Sequence, residues 1–155
     1  MAFFEKRYHP PGTAPGTLTE VHADDASPLQ IRLIDFDKDQ ITFEDHIEAS
    51  ECRAYLENET ITWIHVQGHP TAAALRELGE AFSLHSLVLE DILNTGQRPK
   101  VEYFDDQIFV IMNLPLIKDD AINIQQTSFF LGKDYLISFC VGDFRPFEPI
   151  VKRLQ

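Results

Sequence analysis

The sequence predicts an α/β fold, a mixed and largely antiparallel sheet sandwiched by helices, and three observations predict it. Strand-like and helix-like periodicities alternate over residues 29–94, and the pattern then turns to period 2 from Pro99 onward. A chain of 155 residues, 44% hydrophobic and 25% charged, can bury one real core but has little room for two compact domains.

Residues 1–16 hold Pro10, Pro11, Gly12, Pro15 and Gly16, a density of breakers that reads as an arm. Strands are expected over 17–22 and 29–36, the second with Leu29, Ile31 and Leu33 alternating against Gln30 and Arg32, and with Asp24, Asp25, Ser27 and Pro28 as the turn between them. Phe43, Ile47 and Tyr55 suggest a helix over 42–56. Residues 61–66 form a clearer strand, with Ile61, Trp63 and His65 on one face and Thr62, Ile64 and Val66 on the other, ended by Gly68. Pro70 suits a helix start, and Leu75, Leu78, Gly79 and Phe82 follow the spacing of a helix laid on a sheet. A second short helix follows, with Ser86 as N-cap, Leu89, Ile92 and Leu93 as its buried stripe, and Asn94 with Gly96 as stop signals.

Residues 101–104, 107–116, 122–131 and 135–141 then read as a four-strand antiparallel meander, turned at Asp105-Asp106, Lys118-Asp119-Asp120 and Gly132-Lys133-Asp134. After Pro146 and Pro149, the residues Ile150, Val151 and Leu154 begin a helical stripe that stops at Gln155 without a cap. The expected division is an arm over 1–16, one domain over 17–145, and the start of a truncated helix over 146–155, the front portion of a longer protein.

Thirteen Lys and Arg against twenty-five Asp and Glu give a formal charge of -12. That excess opposes nucleic-acid backbones and anionic lipid and favours divalent cations or basic partners. Cys52 and Cys140 show no CxxC spacing, so neither a disulfide framework nor a thiolate zinc site is indicated, and a reducing cytosolic setting fits. The N-terminus lacks a long apolar stretch, and runs such as 108–112 fall far short of the roughly 20 residues that span a bilayer.

Glu90 and Asp91 stand in the last turn of the second helix, where unsatisfied carbonyls already carry partial negative charge. A bound Mg²⁺ would relieve that repulsion with one or two carboxylates and its retained waters. The alternative is a solvated acidic face, or Arg98 or Lys100 as counter-charge. His65 and His69 flank a strand end rather than one helix face, so they read as ordinary polar positions, and His9, His22, His46 and His85 form no metal spacing. Asp24-Asp25, Asp105-Asp106 and Asp119-Asp120 read as turns. Gln97, Arg98, Pro99 and Lys100 read as a linker whose charges stay in water or pair with Glu90, Asp91 or Glu102. GxGxxG, P-loop, GxSxG and HExxH patterns are absent.

Thr62-Trp63-Ile64-His65-Val66, the stretch from Leu75 through Phe82, the run LHSLVLEDIL from Leu84 to Leu93 and QRPKVEYF from Gln97 to Phe104 together resemble the CorA family of magnesium/cobalt transport proteins. Pro15-Gly16-Thr17-Leu18 looks similar too, and the likeness covers most of 15–145. The resemblance implies the cytoplasmic, amino-terminal α/β domain of a homopentameric channel for Mg²⁺ and Co²⁺ in the cell (inner) membrane. A stalk helix and two membrane helices would follow, and they alone would touch the membrane. It further implies a regulatory Mg²⁺ held by Asp91, with Glu90 nearby, against a carboxylate on a neighbouring subunit's stalk, so that affinity in the isolated segment is weak. The family's Gly-Met-Asn pore signature is not found here, since Met112-Asn113 follows Ile111 in an expected strand, and the pore would lie beyond Gln155. A related zinc-transporting branch shares the domain plan. A different reading is a cytosolic metal-dependent hydrolase built from Asp91, Glu90 and His65 or His69, which would need these groups in one cleft.

Overall fold

Residues 12, 14–18, 29–118, 121–142 and 145–155 are described by a computed structural model. The arm, the expected strand over 17–22 and the turn at Asp24-Asp25 fall largely outside those residues, as do Asp119-Asp120, His9 and His22. Thr17 and Leu18, which are described, form no strand.

The period-2 alternation produces seven strands in one sheet: β1 (Gln30–Phe36), β2 (Ile41–Asp45), β3 (Ile61–Gly68), β4 (Lys100–Phe104), β5 (Gln107–Lys118), β6 (Ala121–Leu131) and β7 (Tyr135–Val141). Their spatial order is β2-β1-β3-β7-β6-β5-β4. All neighbours are antiparallel except β3 and β7, which run parallel with Thr62 opposite Tyr135 and Gly68 opposite Val141. The expected mixed sheet and C-terminal meander are therefore both present. The parallel pair is the seam where the N-terminal strands meet the meander.

Helices α1 (Ala72–Phe82) and α2 (Ser86–Leu93) lie on one face. Leu75, Leu78 and Phe82 of α1 and Val88, Leu89 and Ile92 of α2 pack onto Leu33, Ile64, Phe109, Phe130, Ile137 and Phe139 in the main core. The close approach of the helices depends on Gly79, where a Cβ would stand 2.7 Å from Leu89 Cδ1. Helix α3 (Glu148–Leu154) lies on the opposite face, where Val151 packs with Ile34 and Trp63 and is flanked by Phe147 and Leu154. Helices thus sandwich the sheet at its β1–β3–β7 side. Over β4–β5–β6 the α3 face carries Val101, Tyr103, Met112 and Leu131, all exposed, with Tyr103 at 76%.

Two local expectations are corrected. The helix over 42–56 is instead strand β2 followed by a 3-10 helix, Cys52–Glu57. Ile41 and Thr42 are β-branched and pair with Phe36 and Asp35, Phe43 packs under the α3 face, and His46 takes a left-handed φ of 63° that interrupts any helix. The N-cap of α2 is His85 rather than Ser86: its Nδ1 accepts the Leu87 N–H at 3.2 Å, and Ser86 is the first helical residue. An imidazole nitrogen serves here as the acceptor usually supplied by a hydroxyl or carboxylate. Within α2 the buried stripe is Val88, Leu89 and Ile92, with Leu93 only partly buried.

Candidate functional site

The last turn of α2 brings Glu90 and Asp91 to the edge of the main core. The Asp91 side chain is 16% exposed, and its Oδ2 lies 2.6 Å from Lys100 Nζ at the start of β4. Lys100 also reaches Glu102 Oε2 at 3.0 Å, so one ammonium serves two carboxylates. Burial raises the Asp91 pKa, an effect that Lys100 only partly offsets. Burial also works against the charge on Lys100, but its two carboxylate partners more than compensate and its pKa is raised. The position therefore calls for a positive charge, and of the counter-charges foreseen from sequence Lys100 supplies it while Arg98 stays exposed.

Glu90 points toward the N-terminal arm, where its Oε2 accepts the Gly16 N–H at 2.5 Å. A Cβ on Gly16, whose φ is 80°, would meet the Ser86 hydroxyl at 2.8 Å, so glycine lets the arm lie directly on α2. The residue that sequence reasoning missed is Gln126 of β6. It is buried, its Nε2 donates to the Asp91 carbonyl at 3.0 Å, and its Oε1 accepts from the Gly96 and Gln97 N–H groups at 3.0 and 2.9 Å. One amide thereby fixes both the end of α2 and the backbone of QRPK. The available signal was a glutamine at an inward position, two residues before Ser128 and four before Phe130.

His65 is not part of this arrangement. It projects to the α3 face, with Nδ1 2.9 Å from Ser138 Oγ, and packs edge-on to Phe147. Burial pushes its pKa down to about 4. The sheet separates it from Asp91, so the hydrolase cleft that would join them is not formed. His69 lies just beyond the end of β3. Among the described residues, no three His, Cys, Asp or Glu side chains converge as metal donors. The carboxylates at the end of α2 are both engaged within the chain, Asp91 by Lys100 and Glu90 by the Gly16 N–H.

The architecture and this acidic helix end define a class, an α/β domain with both faces of its sheet partly covered by helices and a carboxylate–ammonium pair at a helix terminus. A family model described as CorA-like Mg2+ transporter protein matches residues 58–155, and the chain belongs to that family. It is 29% identical over 150 residues to the cobalt/magnesium transport protein CorA of Thermotoga maritima, which accounts for 93% of this chain and 41% of that protein. Its fold is that of the soluble domain of CorA from Methanocaldococcus jannaschii, with TM-score 0.55, 17% identity, and coverage of 79% of this chain and 45% of that one. The ZntB cytoplasmic domain from Vibrio parahaemolyticus is similar at TM-score 0.63 and 17% identity, covering 83% of this chain and 50% of that one. The chain thus spans about 41% of the length of its curated relative. No helix among the described residues is long and apolar enough to cross a membrane.

Proposed function

We propose that this chain is the cytoplasmic, metal-sensing domain of a CorA-like channel that passes Mg²⁺ and Co²⁺ across the cell membrane, and that it acts by binding rather than as an enzyme. The observation that carries the reading is the half-buried Asp91 carboxylate at the negative end of α2, already compensated by an ammonium 2.6 Å away.

In this reading Asp91, with Glu90 nearby, forms one side of a site completed by a carboxylate of a neighbouring protomer in a homopentamer. Mg²⁺ there supplies the charge that lets two acidic surfaces touch. Without it, Asp91 and its counterpart repel, and the closed arrangement loses weight in the population. Glu102 gives Lys100 a second seat, so the ammonium can withdraw from Asp91 while keeping a partner. A half-site of this kind binds weakly in a single protomer.

In the full-length protein, Asp91→Ala or Asp91→Lys shifts the Mg²⁺ dependence of transport. Inhibition by Mg²⁺ that is unchanged in both variants rejects Asp91 as the sensor. A second reading, the equivalent domain of a zinc transporter, is favoured by the higher TM-score to the ZntB domain. Uptake of Mg²⁺, Co²⁺ and Zn²⁺ by the full-length protein separates the two.

A further inference from the structure

The described part of the N-terminal arm meets α2 through one tight turn. Ala14-Pro15-Gly16-Thr17 closes on itself, with the Thr17 N–H donating to the Ala14 carbonyl at 3.2 Å and the Thr17 hydroxyl donating to the same oxygen at 2.6 Å. Proline presets the second position and Gly16, at φ 80°, takes the left-handed third position, as a type II turn demands. The closing bond does not use the Gly16 N–H, and that group donates to Glu90 Oε2 at 2.5 Å. Leu18 then packs against the main core, and its carbonyl accepts from Arg76 Nη2 at 3.4 Å. Residues 14–18 are therefore a strap fastened to both α1 and α2, lying over the helical turn from Ser86 to Glu90.

The two acidic side chains at this helix end thus have internal partners of different kinds. Asp91 is held by an ammonium that has a second carboxylate to turn to. Glu90 is held by a backbone N–H whose position the turn fixes. A hard cation binds through the same carboxylate lone pairs that the N–H occupies, and its charge would stand against the positive end of the N–H dipole. Metal and strap are therefore rivals of one sign for one carboxylate. The strap is tethered, which keeps its N–H at high effective concentration, whereas the cation brings two full charges.

We infer that the strap formed by residues 14–18 competes with a divalent cation for Glu90, so that the arm holds the acidic end of α2 unloaded until the cation displaces the Gly16 N–H. The inference rests on the reading of Asp91 and Glu90 as one side of a cation site. What it adds is the antagonist, which lies within the chain. Competition of this kind is reciprocal: whatever affinity the strap takes from the cation, the cation takes from the strap.

The test uses the full-length protein and has two arms. Gly16→Val forbids the left-handed φ and drives a side chain into Ser86, while every acidic residue stays in place. It should lower the Mg²⁺ concentration that half-inhibits transport by about tenfold, and in a Glu90→Ala background the same substitution should change nothing. The second arm needs no variant: hydrogen exchange of the Gly16 amide should be about tenfold faster in saturating Mg²⁺ than in chelator. Exchange indifferent to Mg²⁺, or a midpoint that Gly16→Val moves equally with and without Glu90, overturns the inference. A midpoint that Asp91→Ala shifts and Gly16→Val does not rejects the strap alone, and one that neither shifts rejects the cation reading together with it.

Discussion

His65 shows what burial does to a titrating side chain in this protein. It sits against Ser138, Trp63 and Phe147, and its folded pKa of about 4 lies below the ordinary value of 6.5. Between those values the unfolded chain binds the proton and the folded chain does not, so stability is complete above about pH 6.5 and is lost as pH falls toward 4. The loss is on the order of 3 kcal/mol. Urea midpoints measured at pH 7 and pH 4.5 should differ less in His65→Gln than in the parent, and an identical difference in both would remove His65 as the cause. The sequence placed His65 on the face it occupies, and it also named Lys100 as one possible counter-charge for Asp91. Choosing Lys100 over Arg98 required the register of β4, because only the strand start brings the ammonium beneath α2. Gln126 was invisible for a related reason: hydrogen-bond partners thirty residues away leave no local pattern.

At the level of elements, the joint between α1 and α2 is governed by Gly79. Adding a side chain there drives it into Leu89, which is buried and has little room to give. Gly79→Val should destabilise the domain by about 1–3 kcal/mol despite the poor helix propensity of glycine. Leu89→Ala introduced with it should recover part of that loss, measurable as coupling in a double-mutant cycle, and strictly additive costs would show that the contact does not govern the joint. Elements whose pattern spans several periods were legible in the sequence: the meander strands and α1 lie within two residues or so of their expected limits. The segment 41–57 was misread because Phe43 and Ile47 share helical spacing by coincidence. Its strand character comes from pairing with β1, a tertiary contact that local periodicity does not encode.

Across the whole molecule, apolar surface is unevenly covered. Val101, Tyr103, Met112 and Leu131 stand exposed on the half of the sheet that α3 does not reach. A contiguous apolar face of this kind marks a surface prone to association. The 155-residue chain should therefore bind the dye ANS and self-associate with rising concentration. The paired change Tyr103→Lys and Met112→Lys should reduce both at nearly unchanged melting temperature. Dye binding that persists undiminished would place the exposed apolar surface elsewhere.

The pairing of β3 with β7 also imposes an order on biosynthesis. Thr62 leaves the ribosome well before its neighbour Tyr135, so over that interval β3 has an open hydrogen-bonding edge and Phe139 has not arrived to cover Ile64 and Val66. The pairing that completes β3 waits for β7, which enters the centre of the sheet between β3 and β6.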